Sequence, residues 1–420
     1  MERIEILNGV MLTAVQSTKF KTGAISIQLL RPLCREEASA NALLPNVLLR
    51  GTEHYPDMRS ISAALEELYG AEVGGIVRKK GEVQSVGLFA EFLDDRFADG
   101  CAVTKAMIDL LADILLCPKY DANGFDREII GQEKENLANS IRGQINGKRS
   151  YAAKCLVRTM FGDEAYGIDR LGELADVEKL DPFGLLAHYR SILETSRVEI
   201  CYIGALAPQT VAELLRKALA AMPRGSILPV GTQVILRADE VREASEALDI
   251  TQGKLCFGFR TGCSVLDDCW TAAAVFATVY GGGVTSKLFC NVREKQSICY
   301  YASASLEKFK GFMMVSSGID FSQYESAKAA ILREWEACRR GEISEEELNS
   351  AKIQMLSAYQ SMEDSPSQLD EFYIAQAISG KMQSVSDLTE KIKAVSVRDV
   401  SEAAKRMTLD TIFFLRGMDK

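Results

Sequence analysis

The chain opens on alternation. From Ile4 onward apolar and polar residues trade places with period two, the pattern of a half-buried strand. The same alternation returns at Val83–Phe92, and a helical apolar repeat from about Arg96 to Leu116 follows it. Gly311–Ile319 again reads as a strand, with a helix after it from about Ser322 to Arg339. Each of these strand–helix pairs leads through a turn into another helix, Phe125–Ile141 in the first half and Ser344–Met362 in the second. Ser344 with Glu347 forms the S-x-x-E capping box that satisfies two orphan N–H groups at a helix start.

A second pair of segments repeats more closely. Residues 173–204 hold a short helix, a cap at Asp181 with Pro182 behind it, an amphipathic helix and the strand Val198–Gly204. Residues 387–417 hold a short helix, a cap at Ser396 with Asp399 three residues on, an amphipathic helix and the strand Thr411–Gly417. The offset between matching segments is roughly half the chain, so the pattern predicts two homologous α+β domains of similar size. Pro223–Pro229 has the Pro, Gly and Ser of a linker. The domains are therefore expected at 1–220 and 235–420.

Composition narrows the function classes. A chain of 420 residues is long for a single core. A net charge of -9 disfavours a nucleic-acid surface, which needs clustered Lys and Arg. The run Arg78-Lys79-Lys80 reads as a solvated hairpin tip. No secretory signal is read at the start, and the most apolar stretch, Leu110–Cys117, is far short of the ~20 residues a membrane span needs. The 11 cysteines include no C-x-x-C pair, and Cys155, Cys201 and Cys256 lie in apolar contexts, which fits reduced thiols and a cytoplasmic protein. The only histidines are His54 and His188, so no register places two imidazoles one helical turn apart. His54 reads as a polar loop residue and His188 as covering one face of the helix after Asp181. A catalytic cysteine would depend on one of these two for its base. A metal site of acidic residues and cysteines is conceivable, but no spacing suggests one.

The segment Tyr280-Gly-Gly-Gly-Val-Thr-Ser-Lys-Leu-Phe-Cys-Asn-Val-Arg-Glu-Lys-Gln-Ser-Ile-Cys-Tyr300 resembles a hallmark stretch in the second domain of insulinase/pitrilysin-type metallopeptidases. The resemblance implies two homologous domains, each a mainly antiparallel sheet with helices packed on one face, the insulinase-like fold of the LuxS/processing-peptidase type. Active members carry H-x-x-E-H before a Gly-Thr: two His share a helical face on Zn²⁺, and the Glu is general base to a metal-bound water. Counting back from Gly51-Thr52, the matching positions here are Ala42, Pro45 and Asn46, a degenerate motif that offers neither imidazole nor carboxylate. Glu128, Glu133 and Glu135 fall near the family's third ligand and read as a solvated helix face.

The other half of the family site has its residues in place. The resemblance implies that Arg293 and Tyr300 hydrogen-bond a peptide backbone, and that Gly281, Gly282 and Gly283 form either a substrate-contacting loop or a turn that needs positive φ. It also implies the zinc-free, non-catalytic subunit of a bacterial heterodimeric peptidase. Such a subunit closes the chamber beside a zinc-bearing homologue and binds no metal or other cofactor itself. Pairing with a second copy of the chain, and an inert scaffold with a peptidase fold, are the alternatives. Peptide capture would use an edge strand in the Val83–Phe92 hairpin region. Leu68–Ala71 and Lys79-Lys80-Gly81 further resemble a bacterial subgroup named for association with elongation factor P modification.

Overall fold

The structure is a computed structural model and describes residues 1–418. The first half runs β1 (Glu2–Leu7), β2 (Val10–Gln16), β3 (Thr22–Pro32), α1 (Arg35–Leu48), α2 (Met58–Glu67), β4 (Glu72–Lys80), β5 (Val83–Leu93) and α3 (Val103–Leu116). It continues through β6 (Tyr120–Asp121), β7 (Gly124–Phe125), α4 (Arg127–Gly143), α5 (Lys148–Met160), α6 (Leu174–Lys179), α7 (Pro182–Thr195), β8 (Arg197–Gly204) and α8 (Pro208–Ala218). The second half holds β9 (Arg242–Leu248), β10 (Gly253–Arg260), α9 (Trp270–Gly281), a π-helix (Leu288–Lys295), β11 (Cys299–Glu307) and β12 (Phe312–Ile319). It closes with α10 (Tyr324–Arg339), α11 (Glu345–Met362), α12 (Pro366–Ser379), α13 (Val385–Ala394), α14 (Val397–Arg406) and β13 (Thr408–Gly417).

The internal repeat is visible as matching strand order. One sheet runs β1-β2-β8-β3-β5-β4 and the other β11-β12-β10-β13-β9. Reading the first from its β4 end matches β4 with β11, β5 with β12, β3 with β10, β8 with β13 and β2 with β9. The pairings agree as well: β3 with β5 and β8 is antiparallel, as is β10 with β12 and β13, while β2–β8 and β13–β9 are parallel. Both domains are thus mainly antiparallel α+β units of the kind the resemblance implies.

The helix caps follow the sequence. Asp181 accepts from the N–H groups of Phe183 and Gly184, and Ser396/Asp399 and Ser344/Glu347 close reciprocal boxes. One predicted helix starts late. Residues 95–97 instead form a short 3₁₀ turn capped by Asp94, and Asp99 and Gly100 both have positive φ, so α3 begins at Val103.

The compact units are not continuous halves. One comprises residues 1–142, 168–231 and 362–382, and the other 143–167, 232–361 and 383–420. Strand alternation explains why. In β3, Ile25, Ile27 and Leu29 enter the main core with α1, α3, α7 and α8, while Ser26 and Gln28 face the other way beside Ser85, Cys201 and Glu199. Helix α12 covers that polar face. Ser26 Oγ donates to Asp370 Oδ1 at 2.5 Å, Arg197 donates to the Ala377 carbonyl, and Arg78 and Lys80 ion-pair with Glu371. The basic run of β4 is therefore a helix anchor and not a solvated tip; Lys79 also donates to the Ile168 carbonyl.

The second unit repeats this device with α5. Leu156, Ala152 and Cys155 pack on Cys256, Phe413 and Leu415, on the sheet face away from the Leu255–Phe257–Phe259 core. Gly258 permits the approach, since a Cβ there would lie 2.5 Å from Met160 Sδ. Arg260 fastens the segment by pairing with both Glu164 and Asp410 at 2.8 Å, and Lys310 reaches Glu164 at 2.7 Å. Each sheet thus carries helices on its main face and one more helix on the reverse.

Candidate functional site: a filled zinc helix and an arginine–tyrosine pair

Helix α1 buries ten of its residues, including Ala42, Leu43, Leu44 and Pro45; of the degenerate motif only Asn46 is exposed. Apolar packing dictates this face, and the side chains that remain cannot fit a zinc ion. The helix tolerates Pro45 although it donates no N–H, and the ladder resumes beyond it with Leu49 N–H donating to the Pro45 carbonyl. Pro45 and Asn46 abut the exposed Gly74–Gly75 stretch of β4: a Cβ on Gly75 would lie 3.0 Å from Pro45 Cβ and 3.3 Å from Asn46 Oδ1. The free sheet edge beside the motif belongs to β4, whereas β5 is paired on both sides.

The three α4 glutamates do not share one fate. Glu128 and Glu135 are exposed, as expected of a solvated face. Glu133 is buried, and Arg50, one helical turn beyond Asn46, donates to it at 2.6 Å. A guanidinium thus neutralises the carboxylate that the resemblance places near a metal. Sequence reading missed Arg50 because its partner lies 83 residues away.

His188 takes part in a different polar network. Its Nε2 lies 2.8 Å from Asn41 Oδ1, Asn41 donates to Gln84, and Arg31 clasps Glu37 nearby. Burial pulls the His188 imidazole below its ordinary value against the charge of Glu37. His54 is exposed, and its Nδ1 lies 2.5 Å from Asp113 Oδ1.

In the second unit, Arg293 rides on the π-helix Leu288–Lys295, and Ser297 beyond it has φ 52, a rare conformation for a residue with a Cβ. The guanidinium lies 4.6 Å over the Phe289 ring and 3.7 Å from Glu294. Tyr300 sits at a register irregularity in β11, exposed at the sheet edge, with its hydroxyl donating to Asp320 at 2.9 Å. That hydrogen bond, and then the charge of Asp320, push the phenol up.

Gly281, Gly282 and Gly283 lie between these elements, but none has positive φ. Close approach requires them instead. A Cβ on Gly281 would lie 2.5 Å from the Ala304 nitrogen of β11, and one on Gly283 would collide with Gln354, which donates to the Gly282 carbonyl. Gly281 is thus a packed joint under β11, whereas Gly282 is exposed.

Beside β11 lies a concavity of about 540 Å³, lined by Lys148, Arg149, Ser303, Ser305 and Ser316 among others. Arg149 stacks 4.3 Å over Tyr301 and donates to Ser303 Oγ at 2.7 Å. Burial, then the charge of Arg149, pull the Lys254 ammonium below its ordinary value. The two lining cations, Lys148 and Arg149, and a row of hydroxyls suit carbonyl or carboxylate oxygens. Arg149 comes from α5, so only the fold could reveal it.

These features define a peptidase fold whose zinc-binding helix is filled. Residues 184–355 match the family described as the Peptidase M16 inactive domain. The chain is also 30% identical to the probable inactive metalloprotease YmfF of Bacillus subtilis (strain 168) over 98% of its length and 96% of the relative's. The chain belongs to the inactive insulinase-type (M16) metalloprotease family. It is further 20% identical to the uncharacterized zinc protease YmxG of the same strain, over 97% of this chain and 95% of that protein. A conserved protein from Enterococcus faecalis V583, known from its crystal structure, superposes with a TM-score of 0.91 at 29% identity, covering 100% of this chain and 99% of the other. Among the described residues, no helix is long and apolar enough to cross a membrane.

Proposed function

We propose that this protein is the non-catalytic subunit of a two-chain insulinase-type peptidase. It lacks the family's zinc site, and it closes the chamber and holds peptide while a zinc-bearing homologue supplies the chemistry. One observation carries the reading: the same chain has a packed-out zinc helix, a half-buried Arg293, and an exposed Tyr300 on the unpaired edge strand β11. An Arg fork and a phenol donate to carbonyl oxygens, and an extended peptide can add to a free edge such as β4, whose glycines leave room. That B. subtilis holds both an inactive relative and a zinc-protease relative supports a pairing of unlike chains.

The scaffold reading has one point in its favour. Tyr300 and Arg293 already have partners within the chain, Asp320 for the first and Phe289 and Glu294 for the second. The two readings separate in a cleavage assay on a peptide pool with this chain, a zinc-bearing homologue from the same genome, and both together. The subunit reading expects cleavage in the mixture above either chain alone and a loss with Arg293→Ala. Cleavage by the mixture no better than by the homologue alone rejects it.

A further inference from the structure

The His54–Asp113 contact is more than a surface ion pair, because a thiol completes it. His54, Asp113 and Cys117 each bring one ligand atom to within 4.8 Å of the others. Asp113 and Cys117 stand at i and i+4 where α3 ends, so their side chains share a helical face. His54 arrives from the loop after Gly51-Thr52.

The fold fixes both pieces of backbone. Thr52 bridges Pro118, and the N–H of Glu53 donates to the Cys117 carbonyl at 2.9 Å. The fully buried Thr52 hydroxyl donates to Asp113 Oδ2 at 2.5 Å and accepts from the N–H groups of His54 and Tyr55. One outer hydroxyl therefore orients the carboxylate and ties it to the loop that brings the imidazole, the kind of support metal ligands need. A cavity of about 470 Å³ reaches Asp113 and Cys117 from the side of Tyr120 and Arg190 and gives an ion and water a way in.

We propose that His54, Asp113 and Cys117 bind a divalent zinc-class ion, with water in the fourth position. One nitrogen, one carboxylate oxygen and one sulfur suit Zn²⁺ and disfavour Mg²⁺ or Ca²⁺, which take oxygen ligands. Zinc bond lengths of about 2.0–2.3 Å spread tetrahedral donors roughly 3.4 Å apart. The 2.5 Å between His54 Nδ1 and Asp113 Oδ1 must therefore open on loading, which the exposed His54 ring can do by turning. Binding releases the thiol proton to water, and the hydrogen shared between Nδ1 and Asp113 leaves Nδ1, the neutral ring carrying its proton on Nε2, so that the Nδ1 lone pair meets the metal. The site shares no residue with the degenerate pentad and does not rest on the subunit reading. It departs from the expectation from sequence that this chain binds no metal, and the titration below decides between the two.

The test is titration of the chelator-treated, reduced full chain with Co²⁺ and then Zn²⁺, followed by absorption. The site predicts one equivalent of Co²⁺ with thiolate-to-cobalt charge-transfer absorption, displaced by Zn²⁺. Cys117→Ser should abolish that absorption. Cys117→Ser and His54→Ala should each weaken Zn²⁺ by more than the roughly 10–100-fold that losing an outer-shell partner costs. Cys101→Ser, at an exposed cysteine elsewhere, should change neither. His54 is exposed, so its variant should keep the wild-type circular dichroism. Absence of the charge-transfer absorption in the wild type, or wild-type Zn²⁺ affinity in the His54 and Cys117 variants, overturns the proposal.

Discussion

Asp370 offers a quantitative test of how α12 docks. Its side chain is fully buried against the polar face of the first sheet. Oδ1 accepts from Ser26, while Oδ2 finds no hydrogen bond and lies 3.6 Å from Arg78. Burial pushes the carboxyl up to about 6, against the Ser26 hydrogen bond and the Arg78 charge that pull it down from an even higher value. The folded state therefore holds this proton more tightly than the unfolded chain, whose carboxyl titrates near 3.8. The resulting stabilisation is full below the unfolded value and is lost as pH rises through about 6. At pH 5 the folded group is mostly protonated and the unfolded one almost wholly ionised, a linkage on the order of 1 kcal/mol that has vanished by pH 8. Asp370→Asn removes the titration and keeps the acceptor for Ser26. Urea unfolding of both proteins at pH 5 and pH 8 should show the variant's stability relative to wild type rising by about 1 kcal/mol at the higher pH. Burial lowers the His188 imidazole, a contribution of opposite sign that costs stability as pH falls, but it is common to both proteins and cancels. A difference that stays flat from pH 5 to pH 8 would refute the assignment of a buried, proton-holding carboxyl under α12.

Four further perturbations follow from the packing. Glu164→Ala removes the second carboxylate of Arg260 and the ion-pair partner of Lys310, leaving them the Asp410 carboxylate and the Gln233 carbonyl, and should destabilise the protein by about 1–3 kcal/mol in chemical denaturation. Gly281→Ala drives a methyl into the β11 backbone, where no flexible side chain can yield, and should cost about 1–3 kcal/mol by the same measurement. Arg50→Met leaves Glu133 buried without its cation, and a loss on the order of 3 kcal/mol in denaturation is expected. Arg293→Ala, by contrast, removes a half-exposed side chain and should change stability by less than about 0.5 kcal/mol.

What sequence could deliver was set by locality. Strand alternation and caps act over a few residues, so the repeat, Ser344/Glu347, Ser396/Asp399 and Asp181/Pro182 were all legible. Residues 223–231 contain no regular element, as their Pro, Gly and Ser suggest, but the passage between the compact units near residue 231 is one of several, and the others carry no such signal. The destinations of α5 and α12 were not legible. An amphipathic helix does not say which sheet receives it, and the anchors that decide, such as Arg260–Glu164 and Ser26–Asp370, span 96 and 344 residues. The Arg78–Lys80 run was misread for the same reason, its partner Glu371 being remote. The resemblance put an edge strand in the Val83–Phe92 hairpin region; within that hairpin the free edge is β4, because β5 is paired on both sides. Of the two readings of the glycine triplet, the turn with positive φ does not hold, and the close contacts of Gly281 with Ala304 and Gly283 with Gln354 could not be read from the sequence. His54 looked like a bare loop histidine because Asp113 is 59 residues away.

The central claim is that this chain contributes peptide contacts but no catalytic zinc site to a two-chain enzyme. Its most direct test is the initial rate of peptide cleavage by a zinc-bearing homologue of the same genome, titrated with this chain in wild-type and Arg293→Ala forms. The account predicts a rate that climbs to saturation at one wild-type chain per homologue and a much smaller rise with Arg293→Ala. A rate indifferent to added chain, or equal stimulation by both forms, would contradict it.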